Sequence, residues 1–423
     1  MTKEKLKVLV LATTFPRWEG DAVPQFIYEL SKELQNNGLD VVVLAPHYPG
    51  AQQKEVMSGI TVYRYPYFIP YRYQKLVFQG EGGIFPTMKR SIVATLQVPL
   101  LILSLLIHAV IIVKKEDIDI INSHWLVPNG LIAGFVGSVL KIPHILTLHA
   151  RGVLVLQRMP FSTSIIDYIY DRTDIILPVS THIRDTFIKS GGKRVDNTDK
   201  FYIQPMGAHT DDYDISSKSD LRSGRMTNNE VSCLFVGRLS EKKGVRYLLD
   251  AANDVCSDNS DFHLTIVGTG PLERDLQKYA EKHDLEKCVT FTGWISEEEL
   301  HNHYVSADFV VVPSIETESG DTEGMPTVIA EAFASANPVI ATDVGGISDV
   351  VEDGENGYIV QQKQPDELSE KIELLSNDID LRQKLSRRAL ETADDLDWQR
   401  CGETYAQIIR SVSTSSMEET TGE

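Results

Sequence analysis

Residues 7–45 read KVLVLATTFPRWEGDAVPQFIYELSKELQNNGLDVVVLA, and the order of patterns in this stretch decides the fold class. Lys7 to Ala12 is a continuous apolar run of the kind that forms a strand buried on both faces. Between Pro24 and Asn37, Phe26, Ile27, Leu30 and Leu34 recur at helical spacing, and Gly38 supplies a stop. Val41 to Ala45 is a second apolar run. Strand, loop, helix and strand in that order make the βαβ unit of a parallel sheet. Further strands are expected at Ile118–Ser123, His144–His149 and Ile175–Val179, giving a doubly wound α/β half that ends near residue 190.

From Gly191 to Glu230 the composition turns to Gly, Asp, Ser, Asn and Lys, which reads as a linker or inter-domain region. The α/β pattern then restarts. Strands are expected at Cys233–Val236, His263–Val267, Val289–Phe291, Phe309–Val312 and Pro338–Thr342, with helices at Val245–Ala252 and Leu272–His283. The fold class is therefore α/β, with two Rossmann-like parallel-sheet domains. The first covers about residues 1–200 and the second 201–396. A C-terminal helix at about 397–412 is expected to pack back on the first, ahead of a frayed tail at 413–423. Two such halves imply a cleft, and ligands of open α/β sheets sit at the carboxyl ends of strands.

Working outward, the 42% hydrophobic and 24% charged composition of the 423 residues argues against long disorder outside the ends. With 41 Lys and Arg against 60 Asp and Glu, the net charge is −19, which repels phosphate backbones and argues against a nucleic-acid partner. Cys233, Cys256, Cys288 and Cys401 lie far apart, so spacing supports neither a disulfide framework nor a cysteine zinc site, and a cytoplasmic location fits. The charged start Met1–Lys7 and short apolar run after it do not resemble a signal peptide. Ile92 to Val113 is almost wholly apolar and long enough to span a bilayer. Gln97, Pro99, Ser104 and His108 interrupt it, and a buried helix is the leading reading, ahead of contact with a membrane surface or a true span. Tyr63–Lys75 and Lys89-Arg90 are the basic and aromatic candidates for a peripheral membrane patch.

Two stretches of the second half could carry chemistry. Phe235 to Gly244 places Arg238 and Lys243 just beyond a strand and ahead of a helix, where two cations and free N–H groups suit a diphosphate. A long polar loop, Ser314 to Thr327, precedes a helix and puts Glu323 eight residues before Glu331. Two carboxylates there can accept from sugar or ribose hydroxyls. In the first half His149 ends a strand facing the expected cleft, as a hydrogen-bond donor or base. His124 ends another strand and reads as structural. Gly268-Thr269-Gly270 lacks the third glycine of a dinucleotide fingerprint. The three Asp-x-Asp spacings, at 117/119, 212/214 and 395/397, are what chance gives in so acidic a chain, so no metal is expected.

Together these residues resemble the retaining GT-B glycosyltransferases of family 4, also called group 1. The resemblance rests on Val236-Gly237-Arg238 with Lys243-Gly244, on Gly268-Thr269-Gly270-Pro271, and on Glu323 and Glu331. Pro338 to Gly346 and Asp353 to Gly357 extend it in the second half. Phe15 to Asp21 and Ser123 to Gly130 in the first half are similar to members acting in polysaccharide and glycoconjugate assembly. The resemblance implies transfer of a sugar from a nucleotide-sugar donor, UDP- or GDP-linked, to a glycan, lipid-linked or small-molecule acceptor with retention of configuration. It implies that Arg238 and Lys243 hold the diphosphate and that Glu331 accepts from ribose. Glu323 and His149 would meet the sugar, and Gly20 would approach the phosphates. Gly324, Met325 and Thr327 complete the donor loop. No cofactor or metal is implied.

The sequence departs from the family pattern at Ala150, Gly152, Pro326 and Ala336, and Pro326 removes one backbone N–H from the donor loop. Alternatives are a nucleotide-sugar epimerase or phosphorylase on the same fold, and a non-catalytic nucleotide-sugar-binding protein.

Overall fold

The structure is a computed structural model and describes residues 5–21, 23, 25–77, 84, 87–88, 91–156, 161–192, 195, 198–210, 213, 231–318 and 320–421. Most of the linker between 191 and 230, together with Lys89-Arg90, lies outside these. The chain divides into two compact units, Met1–Pro205 with Cys401–Glu423, and Met206–Arg400.

The first unit is built on seven strands: β1 Lys7–Leu11, β2 Asp40–Pro46, β3 Lys54–Met57, β4 Ile60–Tyr65, β5 Ile120–His124, β6 His144–Leu148 and β7 Ile175–Pro178. Their order is β3-β4-β2-β1-β5-β6-β7, and only β3 runs antiparallel. Val8–Leu11 and Val41–Ala45 are fully buried, as expected of strands covered by helices on both faces. Chain order reverses between β1 and β5, so the loops after these strands meet at a switch point. The β3–β4 hairpin was hidden by its mixed polar sequence. Tyr63 and Tyr65 are buried in it, so Ile69–Tyr73 and Lys75 are what remains exposed of the aromatic stretch.

The second unit carries β8 Val231–Val236, β9 Phe262–Val267, β10 Val289–Gly293, β11 Phe309–Val312, β12 Val339–Thr342 and β13 Gly357–Val360. Their order is β10-β9-β8-β11-β12-β13, all parallel, with the switch point between β8 and β11. The helix Trp398–Thr421 runs on through the stretch read as a frayed tail. Its Tyr405, Ala406 and Ile409 are buried, and Gly402 lies so close to Glu33 that a Cβ would stand 2.3 Å away.

Two expectations are corrected. Cys256 and Cys288 form a disulfide with Cα atoms 6.3 Å apart, at a sequence separation of 32. The helix Val245–Asp258 and the turn before β10 pack into one apolar cluster, a proximity that spacing cannot show. The helix Ile92–Glu116, expected to be buried, is covered on one face only. Leu101, Leu105, Ala109 and Ile112 face the core, while Ile92, Leu96, Leu103, Ile107 and Ile111 are exposed. The polar interruptions serve the covered face. Gln97 accepts from Lys75 N and donates to Tyr73 O, and Ser104 donates to Pro66 O.

Candidate functional site

The loops after β8 and β11 flank the switch point of the second unit. The first runs through Gly237, the exposed Arg238 and a single turn, Glu241–Lys243, before the helix Val245–Asp258. Gly244 makes the sharp entry to that helix at φ +64°, where a Cβ would strike Pro313 O. The second loop ends at Pro326, and the helix Thr327–Ala334 follows. The two loops are tied together, because Ile315 N donates to Lys242 O at 2.8 Å and Lys242 Nζ to Thr322 O at 3.3 Å.

This tie brings the charges together. Glu323 is buried, and its Oε1 lies 3.2 Å from Lys243 Nζ and 3.5 Å from Lys242 Nζ. Burial pushes its carboxyl up, but Lys243 and Lys242 outweigh that and hold it below the usual carboxylate range. The backbone of Glu323-Gly324 is fixed from β12. Gly346 N donates to Gly324 O at 2.6 Å, and Gly345 at φ +66° approaches so closely that a Cβ would lie 2.3 Å from Glu323 O. Glu331 projects from the helix Thr327–Ala334, and Tyr304 OH donates to its Oε2 at 2.7 Å. Burial raises the Glu331 carboxyl against the lowering effects of Tyr304, Lys243, His209 and Thr327. Asn337 Nδ2 holds Tyr304 by its carbonyl, 2.7 Å away.

Arg238, Lys243, Glu323, Gly324, Met325, Thr327 and Glu331 therefore all belong to the ends of β8 and β11 and the helix that follows β11. Sequence reading missed Lys242, which shares Glu323 with Lys243, and Tyr304, which orients Glu331. Lys242 was legible as the first lysine of the pair Lys242-Lys243; Tyr304 had no local signal.

The first unit presents the remaining candidates on loops after β1, β5 and β6. Gly20 lies in an exposed turn after β1 at φ +77° with no atom within 4 Å of a would-be Cβ. That loop is pinned by Arg17, which pairs with Asp21 at 2.5 Å and lies over the rings of Trp18 and Tyr48. The buried Arg64 of β4 donates to Pro16 O at 2.7 Å. His149, just beyond β6, is half-buried and packs against Phe26 and Trp125 with centroids 5.0 and 5.1 Å away. Its Nε2 lies 3.1 Å from Nδ1 of the fully buried His124. Burial lowers both imidazoles, His149 to about 3 and His124 well below its ordinary value, with His149 adding to the effect on His124. Asn129 Nδ2 donates to both His124 O and Leu11 O, locking the end of β5 to the end of β1.

The aspartate pairs are structural where they are described. Asp119 accepts from Lys7 N, and Asp397 accepts from Thr210 Oγ1. The pair at 212/214 lies outside the described residues. Among the described residues no three His, Cys, Asp or Glu side chains gather as a metal site.

Residues 218–392 match the family described as Glycosyl transferases group 1, and residues 23–211 match Glycosyltransferase Family 4. An uncharacterized glycosyltransferase of Methanocaldococcus jannaschii is 30% identical over 290 residues, 69% of this chain and 74% of that protein. The chain belongs to the group 1 glycosyltransferases. The amylovoran biosynthesis glycosyltransferase AmsK of Erwinia amylovora is 26% identical over 61% of this chain and 62% of its own length. Other curated relatives of this glycosyltransferase are matched over 49% to 65% of theirs. Sucrose-phosphate synthase from Thermosynechococcus elongatus shares the fold, with a TM-score of 0.72 at 20% identity over 97% of this chain and all of that one. Anabaena HepE, solved in complex with UDP, gives a TM-score of 0.70 at 17% identity over 96% of this chain and all of that one. The architecture is that of GT-B proteins, two parallel-sheet domains, as the sequence resemblance implied.

Proposed function

We propose that this glycosyltransferase moves a sugar from a UDP- or GDP-sugar to a glycan, lipid-linked or small-molecule acceptor with retention of configuration, in polysaccharide or glycoconjugate assembly. The observation that carries the reading is the charge arrangement at the β8/β11 switch point. Two cations, Arg238 and Lys243, on the loop after β8 suit a diphosphate, and the two carboxylates beside them suit donors such as sugar hydroxyls. Glu323 is ionised and pinned by lysines, which suits an acceptor of sugar hydroxyls. Glu331, oriented by Tyr304, suits an acceptor from ribose hydroxyls. That HepE was solved with UDP and that AmsK acts in amylovoran biosynthesis support the donor and pathway classes.

In the reaction the bond between the anomeric carbon and the diphosphate oxygen breaks, and negative charge grows on the leaving group. Arg238 and Lys243 meet that charge without a metal ion, as preorganised cations do in sites of this kind. The acceptor oxygen bonds to the same face of the anomeric carbon, and its proton passes to the departing phosphate. This needs no separate base. His149 offers the transferred sugar a hydrogen-bond partner, and the Gly20 turn approaches the phosphates.

The exposed apolar face of the helix Ile92–Glu116 gives the reading a place for a lipid-linked acceptor. A helix apolar all round is at home against lipid or deep in a core, and here one face is uncovered. Phe135 and Val139 of the neighbouring helix extend it, and Lys114, Lys115 and Lys141 border it. We propose peripheral contact with an anionic bilayer there. Flotation with phosphatidylglycerol vesicles should carry the protein upward, and Leu96→Asp with Ile107→Asp should leave it in solution. The transfer itself is tested by incubating UDP-glucose or GDP-mannose with candidate acceptors in EDTA. An α-configured product from an α-linked donor is expected, and inversion would overturn the mechanism.

A further inference from the structure

The hydrogen bond between His124 and His149 contains one proton, and the fold decides whose it is. Both rings are neutral, so each carries a single N–H. If His149 Nε2–H donated to His124 Nδ1, the proton of His124 would sit on its Nε2. That atom is fully buried and has no partner among the described residues. If His124 Nδ1–H donates instead, its Nε2 is a bare lone pair, and orphaned buried N–H groups are rarer than under-used acceptors. The second arrangement places the proton of His149 on Nδ1, the nitrogen that makes no hydrogen bond to any described residue.

We infer that His124 is a positioning residue that donates through Nδ1 to His149 Nε2 and so fixes His149 as an Nδ1–H hydrogen-bond donor. Its role toward the transferred sugar rests on the functional reading above. The surroundings leave His149 little freedom to turn. Phe26 and Trp125 pack against its ring, and the His124 ring lies within 19° of its plane. His124 is fixed in turn, because Asn129 grips its carbonyl and ties it to β1. The consequence is chemical. His149 can give a hydrogen bond to a sugar oxygen but cannot take a proton there, since its basic nitrogen is already occupied. This separates His149 from a general base and agrees with proton transfer to the leaving phosphate.

The test reads the tautomer directly. The full chain labelled with ¹⁵N-histidine is examined by long-range ¹H–¹⁵N correlation near neutral pH, with resonances assigned through single His→Gln variants. The inference requires His149 protonated on Nδ1 and His124 on Nδ1. Free histidine in water favours the Nε2–H form, so this result is not a default. A proton on His149 Nε2 overturns the inference. A second arm uses His124→Phe and His124→Asn, each checked for folding by circular dichroism. With UDP-glucose, or GDP-mannose if that donor turns over, His124→Phe should lower kcat on the order of tenfold with little change in KM. His124→Asn, whose amide N–H stands near the lost Nδ1–H, should recover a large part of it. Equal losses in both variants, with both folded, would also overturn the positioning role. If the tautomer is found as stated but His149→Ala keeps full activity, the sugar-contact reading fails and the tautomer assignment stands.

Discussion

Lys243 serves two partners in this account, and replacing it by Met separates them. In the folded chain its Nζ stands 3.2 Å from the buried Glu323 carboxylate, with Lys242 the second cation at 3.5 Å. Breaking a fully buried pair costs about 3–5 kcal/mol. Because Lys242 remains, Lys243→Met should cost less, roughly 1–3 kcal/mol of stability, at about 2–4 °C of melting temperature per kcal/mol for a unit of this size. The same change removes a charge-assisted hydrogen bond to a nucleoside diphosphate, worth about 1.5–3 kcal/mol, or roughly 10- to 150-fold in affinity. The double variant Lys243→Met with Glu323→Gln removes the uncompensated carboxylate. It should recover most of the lost melting temperature while leaving UDP or GDP binding as weak as in the single variant. Scanning calorimetry gives the first quantity and titration calorimetry the second. If the double variant restored affinity together with stability, or if Lys243→Met bound as wild type, the diphosphate role of Lys243 would be wrong.

Acid should weaken the first unit through its neutral histidines. Burial holds His144 at about 4 and His149 at about 3, so below about pH 6.5 the unfolded chain binds more protons and stability falls as pH falls. At pH 5.5 the two together should cost about 3 kcal/mol relative to pH 7.5, the loss continuing toward pH 4. A melting temperature flat from pH 7.5 to 5 would contradict this. Gly345→Ala forces a Cβ into the left-handed region and against Glu323 O, so it should cost at least about 2 kcal/mol and weaken nucleotide binding with it. Unchanged binding in that variant would mean the Glu323 loop does not matter to the donor. Reduction of the Cys256–Cys288 bridge should lower the stability of the second unit by about 3–4 kcal/mol, given the sequence separation of 32 between its ends. Melts with and without a phosphine reductant would show it, and identical curves would count against the bridge.

The parts of this fold that were legible were those written in local pattern. Short apolar runs bounded by turn residues, such as Val8–Ala12 and Val41–Ala45 in the first unit and Phe309–Val312 in the second, read as strands covered on both faces, and the sheets followed from runs of this kind. The polar loops after β8 and β11 stood out because they interrupt that pattern, which is why Arg238, Lys243, Glu323 and Glu331 are legible as candidates. What escaped depends on contacts distant in sequence. Tyr304 reaches Glu331 across 27 residues and His124 reaches His149 across 25, and no periodicity marks either pair. The β3–β4 hairpin alternates too weakly to read. The helix Ile92–Glu116 misleads in the opposite sense, since apolarity on every side favours burial over surface contact, and the structure covers one face only.

The central claim, that the β8/β11 switch point holds a nucleoside diphosphate, is tested most directly by titration calorimetry of UDP, GDP, ADP and NAD against the wild-type chain and Glu331→Ala. The account predicts that one of the diphosphates binds clearly better than the rest and that its binding is lost in the variant. Binding of NAD alone, or wild-type affinity in Glu331→Ala, would contradict it.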